Sequence, residues 1–111
     1  MTTIDRRSGK DRRSTERYKV TIDIEWSTSG GKKPGTLSDI SINGCFVLSS
    51  ADVLDGEKAT LFFPIGDELV YEVQGVIENH VPEIGFALKF NELTQVQRSL
   101  IAKIVDRSKS R

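Results

Sequence analysis

The sequence has few of the residues on which several classes of protein depend. It holds one cysteine, one histidine, one tryptophan and three prolines among 111 residues. The single Cys45 excludes an intramolecular disulfide framework and a multi-cysteine zinc site. No apolar run approaches the roughly 18 residues of a membrane-spanning helix, so no membrane insertion is expected. The N-terminus lacks an apolar stretch that could act as a secretory signal, and we therefore expect a cytoplasmic protein.

Charge is balanced overall but unevenly distributed along the chain. There are 16 basic and 16 acidic side chains, giving a formal net charge of zero. Residues 1–19 carry seven basic and three acidic side chains, and residues 98–111 carry five and one. The body between them carries four basic and twelve acidic side chains. This distribution favours anion binding by particular segments and disfavours binding of duplex DNA on a basic face.

The hydrophobic pattern predicts six strands. Tyr18 to Trp26 alternates strictly between apolar and polar residues, which is typical of a half-buried strand. Shorter strands are expected at residues 36–41, 45–48, 58–63, 69–79 and 85–90, with turn residues between them.

The last segment changes to helical spacing. Apolar residues recur on one helix face over residues 96–105, and Thr94 with Gln97 forms a capping-box start. We therefore predict a mainly β protein, in which residues 18–111 form a six-stranded antiparallel β-barrel with a C-terminal amphipathic α-helix. Residues 1–17 lack apolar periodicity and are expected to form a flexible basic arm. The expected core consists of Val20, Ile22, Ile24, Trp26, Ile40, Ile42, Val47, Leu61, Phe63, Val73, Ile77, Phe86, Leu88, Leu100 and Ile104.

Catalytic residue patterns are scarce. His80 has no partner at motif spacing and is interpreted as a surface or turn histidine. Cys45 follows Gly44 in an apolar strand, where a buried packing thiol is expected instead of a nucleophile. The sequence contains no phosphate-binding loop, zinc-protease helix or nucleophile elbow. We therefore expect no enzyme activity.

The basic arm contains two arginines separated by four positions, Arg13 and Arg17, with Arg12 directly before the first. A turn brings two such guanidinium groups to one side of the chain. Each guanidinium is a planar fork of donors that matches phosphate oxygens and can stack on a base. The pair could therefore close over a nucleotide, and a solvated basic tail is the alternative.

A second polar pattern, Asp-x-Ser-x-x-Gly, spans residues 39–44. Strand alternation predicts that Ile40 and Ile42 face inward and that Asp39 and Ser41 form a polar patch on the outside. Guanine carries adjacent N–H donors on its Watson–Crick edge, which an aspartate can accept together. Gly44 allows the backbone to turn or to approach a ligand closely. The alternative is a strand that ends in an Asn-Gly hairpin turn.

Together, the two patterns resemble the PilZ domain family, the bacterial cyclic di-GMP receptors. The Arg-x-x-x-Arg pattern precedes the first strand, and Asp-x-Ser-x-x-Gly lies at the junction of the second and third strands. The resemblance runs from about residue 12 to about residue 105 and includes the closing strand at 84–90 and the helix. It implies a six-stranded antiparallel barrel that binds cyclic di-GMP on its outer surface.

The resemblance also implies roles for the motif residues. Arg13 and Arg17 would hold phosphate and stack on guanine as the arm wraps round the ligand, while Asp39, Ser41 and Gly44 would form the guanine-facing patch. No metal and no cofactor are expected, and cyclic di-GMP would be the ligand.

Arg12 occupies the position before the first motif arginine, where an arginine in this family tends to accompany an intercalated ligand dimer. Two ligand molecules per chain are therefore expected. The ordered arm would offer a surface to a separate downstream protein. One alternative is a nucleotide-independent protein-interaction module of the same fold. A small RNA- or single-stranded-DNA-binding barrel is a further alternative, disfavoured by the acidic body.

Overall fold

A computed structural model of the chain describes residues 17–65 and 69–109 and shows six strands followed by one helix. The predicted fold class is confirmed. Apart from Arg17, the predicted arm lies outside the described residues, so its flexibility stays a prediction. The elements are β1 (Tyr18–Ser27), β2 (Lys33–Ile40), β3 (Gly44–Leu48), β4 (Lys58–Ile65), β5 (Leu69–Val81), β6 (Gly85–Phe90) and α1 (Gln95–Lys109).

The strands close into an antiparallel barrel in the order β1-β2-β3-β6-β5-β4. Pairing of β1 with β4, in which Trp26 lies opposite Leu61, completes the ring. Although β4 follows β3 in the chain, β3 pairs with β6. This strand order places β6 between β3 and β5, so the second polar pattern and the end of β5 share one barrel wall.

The core fills the barrel from the alternating faces of the strands. Trp26 and Phe86 meet edge to face, with ring centroids 4.9 Å apart and an interplanar angle of 68°. This geometry is favourable for aromatic pairs beyond the area they bury. The predicted core residues confirmed as buried are Ile24, Trp26, Ile40, Val47, Leu61, Phe63, Val73, Ile77, Phe86, Leu88 and Leu100.

Some core predictions need correction. Ile42 is 54% exposed because β2 ends at Ile40, one residue earlier than predicted, and the inward–outward alternation ends with it. Other predicted members are only partly buried and pack against the edge of the core, namely Val20, Ile22 and Ile104. Buried apolar residues that the prediction missed include Leu37, Val53, Phe90, Ile101 and Val105.

Helix α1 begins at the predicted capping box. The Gln97 backbone N–H donates to Thr94 Oγ1 at 3.1 Å, and the Thr94 N–H donates to Gln97 Oε1 at 2.9 Å. Leu100, Ile101 and Val105 carry the apolar face of the helix into the core. None of the helical segments in the described ranges combines the length and apolarity that a membrane crossing requires.

Candidate functional site

The structure joins the two polar patterns through one ion pair. Arg17 directly precedes β1, and the β1–β2 register places Tyr18 opposite Ile40 and Lys19 opposite Asp39. The Arg17 guanidinium Nη1 donates to Asp39 Oδ1 at 2.5 Å. The two side chains remain 46% and 30% exposed, so both can still reach a ligand.

The other two arginines of the first pattern, Arg12 and Arg13, lie outside the described residues. Their roles therefore stay predictions. Arg17, the described half of the Arg-x-x-x-Arg pattern, lies beside the Asp-x-Ser-x-x-Gly segment.

Ser41 does not lie on the outer surface as predicted. It is 2% exposed and begins the loop that links β2 to β3. Its Oγ accepts the N–H groups of Asn43 and Gly44, at 3.1 Å and 3.2 Å, and the Ser41 N–H donates to the Gly44 carbonyl at 2.8 Å. Serine hydroxyls commonly close tight turns in this way. The Ser41 side chain therefore shapes the loop and is not part of an exposed polar patch.

Gly44 is required by the close approach of β3 and β6. A Cβ atom at this position would lie 2.3 Å from the Leu88 carbonyl oxygen, well inside any acceptable contact. β2 does end in a tight hairpin connection, closed by the Ser41 N–H and the Gly44 carbonyl, but Asn43 and Gly44 are not its central pair, because Gly44 begins β3 and neither residue has a positive φ. The glycine also leaves the surface at Gly44 without a side chain, so a ligand can approach the barrel wall there.

A surface depression of about 330 Å³ lies beside the Arg17–Asp39 pair. It crosses the outer faces of β3, β6 and β5, and the spacing of neighbouring strands implies about 14 Å from β2 to β5. Its described lining consists of Arg17, Ser41, Asn43, Gly44, Glu78, Leu88 and Lys89.

Among the residues that the structure describes, two cations and one carboxylate face this depression. Lys89 lies opposite Gly44 in the β3–β6 pairing and opposite Val76 in the β5–β6 pairing. Glu78 lies at a register shift between Ile77 and Asn79. Lys89 and Glu78 are not predictable from the sequence because neither belongs to a motif, and only the pairing of β6 with both β3 and β5 brings them to the site.

Cys45 is fully buried directly behind this wall, as predicted. Burial raises the pKa of the Cys45 thiol far above its usual range, and the nearby Asp39 carboxylate raises it further, while Arg17 has a smaller opposing effect. A thiol of this kind stays protonated and unreactive at neutral pH. It serves as packing beneath the site.

Of the two predicted settings of His80, surface or turn, the turn is excluded, because His80 belongs to β5, which runs to Val81, two residues beyond its predicted end. It is half-buried, and its Nε2 lies inside the protein without a hydrogen-bond partner among the described residues. Its backbone N–H donates to Asp55 Oδ1 at 3.1 Å. Within the described ranges, no group of three or more histidine, cysteine, aspartate or glutamate side chains could hold a metal ion.

Solved structures that resemble this chain share its fold. The Borreliella burgdorferi PlzA protein in complex with c-di-GMP matches with a TM-score of 0.66 and 16% identity, over 89% of this chain and 43% of that one. The Bacillus subtilis inhibitor of motility, MotI/DgrA, matches at 0.69 and 17%, over 88% and 51%. The PilZ domain of CeSA from a cellulose-synthesizing bacterium matches at 0.66 and 17%, over 82% and 95%.

The chain thus spans about half the length of the first two proteins. No curated protein sequence matches it significantly. The family model of the PilZ domain matches residues 11–107, which include both polar patterns, the barrel and most of α1. This chain therefore belongs to the PilZ domain family.

Proposed function

We propose that this protein is a cyclic di-GMP receptor without enzymatic activity, and that the ligand binds in the depression beside Arg17. The observation that carries the proposal is the Arg17–Asp39 ion pair. It links the two polar patterns at the edge of the surface depression. Membership of the PilZ family supports it. The related PlzA structure, which contains c-di-GMP, supports it as well.

The described residues offer suitable chemistry for this ligand. The Arg17 guanidinium has further N–H donors for a phosphate and a flat face for a guanine base. Asp39 uses Oδ1 to hold Arg17, and its other oxygen would accept N–H donors of a guanine. Lys89 adds a second positive charge on the same wall. The Gly44 surface would allow the ligand to lie close to the backbone.

Arg12 and Arg13 would complete the site from the N-terminal side. Four residues of extended chain cover about 13 Å, so Arg13 can reach a ligand held at Arg17. Fixing the connecting residues costs about 1–2 kcal/mol each, which charge-assisted hydrogen bonds to two phosphates and stacking on guanine must offset. With Arg12 present as well, we propose that two intercalated cyclic di-GMP molecules bind per chain.

Ligand binding would change the surface that the protein presents to a partner. When residues 12–17 close over the ligand, they would form a new face composed of arm, ligand and barrel, which a separate downstream protein would recognise. Because ligand and partner would bind the same ordered state, each would strengthen the binding of the other.

Backbone NMR of the isotopically labelled full chain, titrated with cyclic di-GMP, tests the location of the site. We expect shift changes at Arg17, at Asp39 to Gly44 and at Lys89, and none at the far rim near Lys32. Cyclic GMP and GTP at the same concentration serve as control ligands. Absence of any change would overturn the proposal and favour a nucleotide-independent interaction module.

A further inference from the structure

The second polar pattern offers a base fewer hydrogen-bond acceptors than its sequence indicates. Asp39 gives one carboxylate oxygen to Arg17, and the Ser41 hydroxyl is buried within its own loop. Cyclic di-GMP has two guanine bases, so a site that selects guanine twice needs a further acceptor. Among the described lining residues, the charged acceptor at the other end of the depression is Glu78.

Local backbone structure directs Glu78 toward the depression. In the β5–β6 pairing, Ile77 lies opposite Leu88 and Asn79 lies opposite Ala87, which leaves Glu78 without a partner at a bulge. Bulges reorient side chains and are common beside functional sites. Glu78 is exposed, lines the depression with Lys89, and forms no ion pair or side-chain hydrogen bond among the described residues. Its carboxylate is therefore available to a ligand.

We propose that Glu78 recognises one guanine of the bound dinucleotide and makes the site select guanine over adenine. This inference rests on the proposed function. The N1–H and N2–H₂ groups of guanine are adjacent donors, and one carboxylate can accept both. Adenine has an acceptor at N1 and only a C–H group at C2, so the same carboxylate would face a lone pair and lose both hydrogen bonds.

The position of Glu78 suits a ligand with two bases. β2 and β5 are three strand spacings apart, about 14 Å, with β3 and β6 between them. One guanine would lie against Arg17 and Asp39 at the β2 end, and another guanine would lie at Glu78 on β5. Lys89, on the intervening β6, would lie between the bases, where the phosphates of a cyclic dinucleotide are.

Calorimetric titration of the full chain with cyclic di-GMP and with cyclic di-AMP tests this role. The variant is Glu78→Gln, which keeps the size of the side chain but replaces one acceptor oxygen with a donor. Glu72→Gln, another exposed glutamate of β5 that does not line the depression, is the matched control. We expect the wild type to prefer cyclic di-GMP, and Glu78→Gln to lose roughly 10- to 100-fold in that affinity, the range for one bidentate base contact.

Affinity for cyclic di-AMP should not fall in Glu78→Gln, because the amide can donate to adenine N1. The Glu72→Gln variant should behave as the wild type. If Glu78→Gln keeps the wild-type affinity and selectivity, or binds both ligands more tightly, the inference is wrong while the proposed function stands. If the wild type binds neither dinucleotide, the proposed function itself fails. Circular dichroism of each variant checks that it is folded.

Discussion

At the scale of single residues, the Arg17–Asp39 pair orients the Arg17 guanidinium more than it stabilises the fold. Both side chains are partly exposed, and exposed ion pairs typically contribute about 0–1 kcal/mol to folding. The pair instead holds one guanidinium at the edge of the depression, so that less side-chain freedom is lost when a ligand binds. Loss of either partner should therefore affect binding far more than folding.

Arg17→Ala should weaken cyclic di-GMP binding by roughly 10- to 100-fold, the loss expected for charge-assisted hydrogen bonds. The free energy of unfolding should change by no more than about 1 kcal/mol. Calorimetric titration and urea denaturation measure the two effects separately. Lys103→Ala, which removes a positive charge on α1 away from the depression, is the control and should bind normally. An Arg17→Ala protein with wild-type affinity would contradict the proposed site.

Gly44→Ala should destabilise the barrel by about 1–3 kcal/mol, because the new methyl group would overlap the Leu88 carbonyl oxygen and force β3 and β6 apart. Gly31→Ala is the matched control, since a Cβ atom there meets nothing within 4 Å. Urea denaturation of both variants compares them. If the two variants were equally stable, the close approach of β3 and β6 at Gly44 would not exclude a side chain there.

Residue-level prediction from the sequence fails most clearly at the end of β2. Inward–outward alternation holds through Ile40 and does not continue to Ser41 and Ile42, which lie in the loop after β2. The sequence does not mark this end, because Ile-Ser-Ile continues the apolar–polar pattern. The strand ends because the Ser41 hydroxyl accepts hydrogen bonds from two backbone N–H groups of the loop. Such side-chain hydrogen bonds compete with those between strands, and the apolar–polar pattern of the sequence does not reveal them.

At the scale of elements, the sequence predicts which strands exist but not which strands are neighbours. The span of β6 and the capping box of α1 agree with the prediction, because turn residues and caps are local signals. The insertion of β6 between β3 and β5 depends on closing the whole barrel, which is a non-local event. Glu78 and Lys89 were missed for this reason, whereas both sequence motifs could be recognised in advance.

Thr94→Ala should reduce the free energy of unfolding by about 0.5–2 kcal/mol, because the N–H of Gln97 loses its capping acceptor. Thermal or urea denaturation measures the loss, and Thr94→Ser, which keeps the hydroxyl, should restore most of it. Cyclic di-GMP affinity should not change, since α1 does not line the depression beside Arg17. A Thr94→Ser protein as unstable as Thr94→Ala would exclude the cap as the cause.

At the scale of the whole molecule, folding is coupled to pH through Cys45. The folded protein keeps the thiol protonated because burial raises its pKa, whereas an unfolded cysteine ionises near pH 8.5, about its usual pKa. Above that pH the unfolded state binds fewer protons than the folded state, so stability should fall as pH rises. One proton corresponds to a slope of at most about 1.4 kcal/mol per pH unit.

Urea denaturation of the wild type and of Cys45→Ala between pH 7 and pH 10 isolates this contribution, because all other groups titrate in both proteins. The wild type should lose stability more steeply than Cys45→Ala above about pH 8.5. Parallel pH dependences would show that the thiol ionises as readily in the folded chain as in the unfolded one.

The distribution of charge over the whole chain fits a small anionic ligand. Twelve acidic side chains lie between residues 19 and 98, and the positive charges are concentrated in the terminal segments. A long nucleic acid would be repelled by this body, whereas a dinucleotide can be held between a few arginines and one wall of the barrel.

Isothermal titration calorimetry of the full chain with cyclic di-GMP is the decisive test of the proposed receptor function. We expect saturable binding, selective over cyclic GMP and GTP, with a stoichiometry near two ligand molecules per chain. Saturation at one molecule would contradict the role proposed for Arg12 and leave the receptor function intact. Absence of both binding heat and thermal stabilisation would contradict the receptor function itself.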